Sequence, residues 1–303
     1  MLILKTITHE TIWGGNRLAN ALTDKNKKIG HLYSLVSNNE FESLIINGEY
    51  KEQKLKDFFN LNKAKYKLDK YERFPFIISL TDATDNLSIQ VHPDDKFAQE
   101  VLNMPNGKNE SWYFIEAPIS GKIYNGCKAK SLEELKQKID NNKYEDVIDY
   151  LDVTAEDYVY VKAGTLHALS AGSLVFEIEE NCNITYRLYD FNRVDDKGLK
   201  RPLQTENVLK TIDVNLKSKS EKYNNEKKER MYSTKLLKNS SEYTNKSNTL
   251  ECLTIIKGCQ KFDNFEISRG TTIILEPQEN IQFNSSTDFI VSRPNIMEEN
   301  KWM

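Results

Sequence analysis

Histidine is scarce in this chain of 303 residues, which has four: His9, His31, His92 and His167. A metal site built from imidazole alone is therefore excluded, and any site must recruit carboxylates or amides. Cysteine is equally sparse, with four residues, Cys127, Cys182, Cys252 and Cys259, and no C-x-x-C pair. This argues against a disulfide framework and a zinc–thiolate site, and points to reduced thiols in a cytoplasmic protein. Excess positive charge is missing too: 42 Lys and Arg against 45 Asp and Glu give a net charge of -3. That balance supplies no general drive toward nucleic acid or acidic membranes. No apolar run approaches the length of a membrane span. Met1-Leu-Ile-Leu-Lys5 is too short for a signal h-region and lacks a basic n-region.

What is present centres on Leu87-Ser-Ile-Gln-Val-His-Pro-Asp94. Leu87, Ile89 and Val91 alternate with Ser88, Gln90 and His92, so the polar trio shares one face of a strand. Pro93 cannot donate to a ladder and keeps His92 extended, which ends the strand there. A polar face of this kind is ordinarily a solvated one. It gains chemical meaning only if further candidate ligands follow.

The rest of the chain reads as short strands, with 12 glycines and 7 prolines to punctuate them. Ile12-Trp-Gly-Gly15 predicts a tight turn, and the Asn47-Gly48 pair a hairpin. Lys54 to Leu61 predicts a short helix, and Phe74 to Leu80 a buried strand. Asp94 is a candidate N-cap for a helical segment over 96–102. Lys108-Asn-Glu110 opens a strand running to Ile115. Ser131-Leu-Glu-Glu134 matches a capping box, and the apolar spacing after it predicts two short helices split at Asn141-Asn142. Asp157–Val161 is a clean strand, the Ala163-Gly-Thr turn delivers His167, and Leu174 to Ile178 is another strand. The lysine-rich stretch 215–230 reads as a linker or solvated excursion.

This pattern predicts a mainly β protein, a cupin-type jelly-roll barrel with a helical insert and a small C-terminal β domain. The expected division is a catalytic cupin domain over 1–213 with its insert near 95–150, a polar linker over 214–230, and a small β domain over 231–303. Within it, Gln90, His92, Glu110 and His167 form a mixed nitrogen and oxygen set for one divalent metal. That set suits zinc, and manganese, iron and cobalt remain alternatives. With no thiolate and one weak amide ligand, it describes an open, catalytic metal rather than a closed structural one.

Five segments carry a family resemblance: Ile12-Trp-Gly-Gly, Leu87 to Asp95, Gly107-Lys-Asn-Glu-Ser-Trp-Tyr113, Ala163-Gly-Thr-Leu-His-Ala168, and Glu177-Ile with Thr185-Tyr-Arg-Leu-Tyr-Asp190. In order and spacing they resemble the type I phosphomannose isomerases, in their short bacterial form, up to about residue 200. The resemblance implies one zinc ion per chain, held by Gln90, His92, Glu110 and His167. It further implies Ser88, Lys108 and Arg187 as substrate-binding groups around a small-molecule sugar phosphate. Arg187, Lys108 and Glu177 become the catalytic candidates for interconverting mannose 6-phosphate and fructose 6-phosphate through a cis-enediol.

Lys108 and Glu177 both remain candidates for the group that moves the proton, Lys108 through a pKa lowered by metal charge. The chain also departs from the family pattern. Ser79 stands where a lysine is usual, which removes a pocket cation. His31 stands where a glutamate often follows glycine, Asn183 replaces an aspartate, and Lys162 replaces a proline. Two other functions compete: a catalytically silent cupin that senses a sugar phosphate, and another cupin metalloenzyme such as an oxygenase. A monomer or weak homodimer, with neither nucleic acid nor membrane as partner, completes the expectation.

Overall fold

The alternation at Leu87 to His92 becomes a short strand, Ile89–Val91, whose apolar residues are wholly buried. A computed structural model of the chain describes residues 1–18, 27–262 and 264–297. Ile89–Val91 lies second in a five-stranded sheet, between Tyr186–Tyr189 and His167–Ala168, followed by Lys122–Cys127 and Ile148–Asp152. Its antiparallel registers set Gln90 opposite His167 on one side and opposite Arg187 on the other. Directly opposed residues project to one face, so this pairing gathers three polar side chains from separate strands.

A seven-stranded sheet carries the second wall. Its order is Ser220–Lys222, Asp157–Val161, Glu110–Glu116, Leu174–Glu180, Phe76–Asp82, Ile29–Leu35 and Ile7–Gly15. Phe76–Asp82 and Leu174–Glu180 are buried at every position, their polar residues included. Trp112, Phe114, Val159, Val161 and Val175 from this sheet pack with Ile89, Val91, Leu166, Ala168 and Leu188 of the other sheet and its loops. Two antiparallel sheets joined through one core give the expected mainly β, cupin-type fold.

The helices follow their sequence signals. Asp94 accepts a hydrogen bond from Phe97 N at 2.8 Å and caps Asp95–Leu102. Ser131 accepts from Glu134 N at 3.2 Å, and the Glu134 carboxylate accepts from Lys130 N, one residue before the reciprocal donor of an ideal box. The second helix expected after Asn142 is a single 3₁₀ turn, Tyr144–Val147, and the chain then extends as Ile148–Asp152. Pairing with Lys122–Cys127 decides that segment, because Ile148 and Leu151 are placed by the ladder rather than by a helical face. Ile12 to Gly15 also differ from expectation: they end the strand Ile7–Gly15 instead of forming a tight turn.

The stretch expected as a linker contains two strands. Ser220–Lys222 pairs with Asp157–Val161, and Lys227–Lys228 pairs with Tyr232–Thr244. Both sit at sheet edges, where backbone pairing needs no apolar side chain and lysine discourages further strand addition.

The chain folds as two compact units that interleave along the sequence. One comprises His9–His31 and Leu80–Lys222, and the other Met1–Thr8, Leu32–Ser79 and Tyr223–Met303. A division that simply follows the chain misses this, because Leu2–Ile3 pairs with Thr272–Leu275 through the register Leu2↔Ile274. The second unit carries a six-stranded sheet and an apolar core of Leu253, Ile255, Ile273, Leu275, Phe289 and Val291 with their neighbours.

Candidate active site

Two glycines bring the loops of the site together. Gly107 lies so close to Pro93 and Asp94 that a Cβ on it would sit 2.3 Å from the Pro93 carbonyl oxygen. Only glycine permits this approach, which lets Lys108 N donate to the same carbonyl at 2.9 Å. Gly164 adopts a left-handed φ of 85° and donates its N–H to the His92 carbonyl at 2.9 Å. Asn109 adds a clasp: its amide oxygen accepts from Ala163 N, and its amide nitrogen donates to Glu180 at 2.7 Å. His92, the start of the Glu110 strand and the loop before His167 are thereby fixed to one another.

The result is a buried triad. His92, Glu110 and His167 are each 1 % exposed. Each imidazole Nε2 lies 3.2 Å from a different oxygen of Glu110. The opposite ring nitrogens are committed: His92 Nδ1 lies 2.9 Å from the Ile184 carbonyl, and His167 Nδ1 lies 2.9 Å from that of Thr165. A carbonyl only accepts, so both rings carry their proton on Nδ1 and present a lone pair at Nε2. Those lone pairs face a carboxylate that also only accepts. Both Nε2 atoms and both Glu110 oxygens are indeed buried without a hydrogen-bond partner. Four such acceptors converging on one point, with Lys108 no nearer than 3.5 Å, are an arrangement that a bound cation would satisfy. The donor set fits a divalent metal, and the chemistry of imidazole and carboxylate fits zinc.

Gln90, the fourth expected ligand, faces His167 and Arg187 across the ladder, and its Oε1 accepts from Ser88 Oγ at 3.3 Å. Arg187 Nε donates to that Ser88 hydroxyl at 3.1 Å, and Nη1 donates to the Pro202 carbonyl at 3.1 Å. Burial and the nearby Arg201 lower the pKa of this guanidinium from its ordinary value. Arg193 and Arg201 lie close by on Asp190, so this end of the sheet is cationic.

The seven-stranded sheet supplies acids. Its register sets Glu179 opposite Glu110 and Glu177 opposite Trp112. Lys108 forms a close ion pair with Glu179 and lies 3.5 Å from Glu110. Burial disfavours its charge, but Glu179, Glu110 and Glu177 together raise its pKa above the ordinary lysine value. The lowering expected for this lysine is opposed by Glu110 and Glu177, both foreseen at the site, and by Glu179, which was not. Burial pushes Glu179 up to about 7 against the pull of Lys108. Burial likewise drives His92 down to about 4.

Glu177 occupies the same face as Glu179, with a carboxylate oxygen within 4.8 Å of oxygens from Glu110 and Glu179. Trp112 Nε1 donates to its Oε1 at 2.9 Å, and Thr81 Oγ1 donates to its Oε2 at 2.7 Å. His31 Nδ1 lies 3.0 Å from that same Thr81 oxygen. The fold therefore assembles all eight expected residues: Ser88, Gln90, His92, Lys108, Glu110, His167, Glu177 and Arg187. Sequence reasoning missed Glu179, Thr81 and Trp112. The signal for Glu179 was available, since Glu177 and Glu179 alternate with the apolar Phe176 and Ile178 on one strand. Ser79, two residues before Thr81, is buried in the same strand.

Comparison with known proteins adds a second line of support. A family model described as the catalytic domain of type I phosphomannose isomerase matches residues 1–114. Mannose-6-phosphate isomerase of Streptococcus mutans is 34% identical over 215 residues, covering 70% of this chain and 68% of that one. Mannose-6-phosphate isomerase ManA of Bacillus subtilis is 32% identical over 214 residues, with the same coverage of 70% and 68%. Among solved structures, the Bacillus subtilis mannose 6-phosphate isomerase superimposes with a TM-score of 0.81 at 26% identity, covering 96% of this chain and 98% of that one. A putative mannosephosphate isomerase from Archaeoglobus fulgidus shares the fold, with a TM-score of 0.76 at 17% identity over 97% of this chain and 98% of that one.

Proposed function

The chain belongs to the type I phosphomannose isomerase family, and from that premise we propose that it interconverts mannose 6-phosphate and fructose 6-phosphate with one zinc ion bound by Gln90, His92, Glu110 and His167. The observation that carries the metal is the set of four buried acceptor atoms, on His92, Glu110 and His167, that lack any donor. Zinc bound there would supply Lewis-acid stabilisation of the negative charge gathering on the sugar's O1 and O2.

The chain's own groups move the proton. Lys108 is committed to Glu179 and Glu110 as an ammonium, so it serves to balance charge and orient the substrate rather than to accept a proton. Glu177 is the better candidate for the base. In the forward direction it takes the C2 proton of the open-chain aldose. The C2–H electron pair forms the C1–C2 double bond, and the carbonyl pair moves onto O1, giving the enediolate form of the cis-enediol, charged on O1. Return of that proton to C1, with the O2 hydroxyl proton passing to O1, leaves the ketose and a regenerated carboxylate. Ser88 and Arg187 line the cationic end, where a guanidinium suits a phosphate.

A coupled assay of purified, zinc-loaded protein with mannose 6-phosphate tests this reading. We expect fructose 6-phosphate formation that stops on chelation and returns with zinc. Metal retained without turnover would overturn it in favour of a sugar-phosphate sensor, the reading that Ser79 in place of a lysine favours.

A further inference from the structure

We infer that Thr81 and Trp112 are positioning residues that hold the Glu177 carboxylate at one orientation for proton transfer, with His31 fixing the direction in which Thr81 donates. The inference rests on Glu177 as the base and goes beyond it, because neither residue needs to touch the sugar.

An ionised carboxylate only accepts hydrogen bonds. Thr81 has one hydroxyl proton, and 2.7 Å from Glu177 Oε2 that proton points at the carboxylate. Its oxygen then accepts, and His31 Nδ1 lies 3.0 Å away to donate. His31 is seated by ring contacts, stacked with His9 at 6.0 Å and edge-on to Trp13 at 5.1 Å. The donors therefore run in one direction, from His31 through Thr81 to Glu177.

Trp112 secures the other oxygen with an indole N–H that can only donate, at 2.9 Å. Thr81 and Trp112 are 0% and 1% exposed and come from strands on either side of the Glu177 strand, so water does not replace either bond. One donor on each oxygen fixes both the rotation and the tilt of the carboxylate. A reacting carboxylate must meet a C–H bond within a narrow range of orientation, so a small misplacement costs rate rather than affinity.

The test compares Thr81→Val, Thr81→Ser, Trp112→Phe and Glu177→Gln in the zinc-loaded protein. Valine keeps the shape of threonine and removes only the hydroxyl, while serine keeps the hydroxyl. We expect Thr81→Val and Trp112→Phe to lower kcat by about ten- to a hundredfold, the scale of a hydrogen bond to a charged group. KM and zinc content should stay within about twofold of the parent. Thr81→Ser should restore most of kcat, which a merely structural role would not require. Unchanged kcat in Thr81→Val beside an inactive Glu177→Gln would overturn the positioning role and leave the base intact. Full activity in Glu177→Gln would overturn the base, and this inference with it. Should Thr81→Val fail to fold, Trp112→Phe alone carries the expectation, and parental kcat in it would overturn the inference.

Discussion

Two buried glutamates show how this chain separates structure from chemistry. Glu110 and Glu251 both lie on strands, 1% and 4% exposed. Glu251 is furnished with donors: the Tyr243 hydroxyl donates to it at 2.8 Å, and Arg293 Nη1 lies 3.6 Å away. Its burial still pushes its pKa above the usual value. Glu110 receives no hydrogen bond at either oxygen: Lys108 Nζ stands 3.5 Å from it, and the Nε2 atoms of two imidazoles face its carboxylate. A buried acid with its donors in place is a structural feature. A buried acid faced by two imidazole nitrogens is a group that could hold a metal ion. Burial alone would not distinguish them; the count of donors does.

The comparison breaks most visibly at Glu110. At the proposed metal site, Glu110→Gln removes the charge that would draw a cation between His92 and His167. We expect zinc content to fall to background by elemental analysis, and isomerase turnover to drop by more than about a thousandfold. A variant that keeps both metal and turnover would show that Glu110 is not a ligand. Arg187 gives the next largest effect. It approaches the site through Ser88 rather than through the triad, so Arg187→Ala should leave zinc bound. Loss of one placed charge stabiliser raises a barrier by about 3–4 kcal/mol, or a few hundredfold in kcat/KM. Near-parental kcat/KM would remove Arg187 from the mechanism.

Glu251→Gln sharpens the contrast from the other side. Zinc content and kcat should match the parent, because the residue belongs to the unit that lacks the triad. Stability should stay within about 1 kcal/mol of the parent, measured as Tm, because the burial that raises its pKa disfavours the very charge that glutamine removes and offsets the weakened pairing with Arg293. A variant that lost activity without losing stability would contradict the division drawn here between the two acids.

Much of this was readable in the sequence, for a reason particular residues make plain. Gln90 and His92 lie two apart on a strand, and so do Glu177 and Glu179, so local alternation reveals which side chains share a face. The caps at Asp94 and Ser131 are local too, and both formed. What alternation could not reveal was pairing between distant strands. Glu179 meets Glu110 only through a ladder between residues far apart in the chain, and that ladder delivers a counter-ion to Lys108. The raised lysine pKa was invisible for the same reason. Pairing also made strands of Ser220–Lys222 and Ile148–Asp152, where composition suggested a linker and a helix.

Asp190 offers a small effect and an intermediate case, a buried acid with more donors than it can lose without consequence. Arg193 Nη2 and Arg201 Nη2 each donate to its Oδ1 at 2.6 Å, and Arg201 Nε donates to Oδ2 at 2.8 Å. Burial raises its pKa, but the bonds from Arg201 and Arg193 prevail and lower it below the ordinary aspartate value. A carboxylate whose pKa is depressed by folding contributes stability above its unfolded pKa, near 4, and loses it as pH falls through the folded value. The contribution is modest, because part of the cluster is open to solvent and screened. We expect Asp190→Asn to melt a few degrees below the parent at neutral pH, and the two Tm values to converge below about pH 4. Glu110 keeps its environment in both proteins, so its own acid response cancels in the comparison. Parallel Tm curves across that range would show that the arginines, not the charge of Asp190, hold this end of the sheet in place.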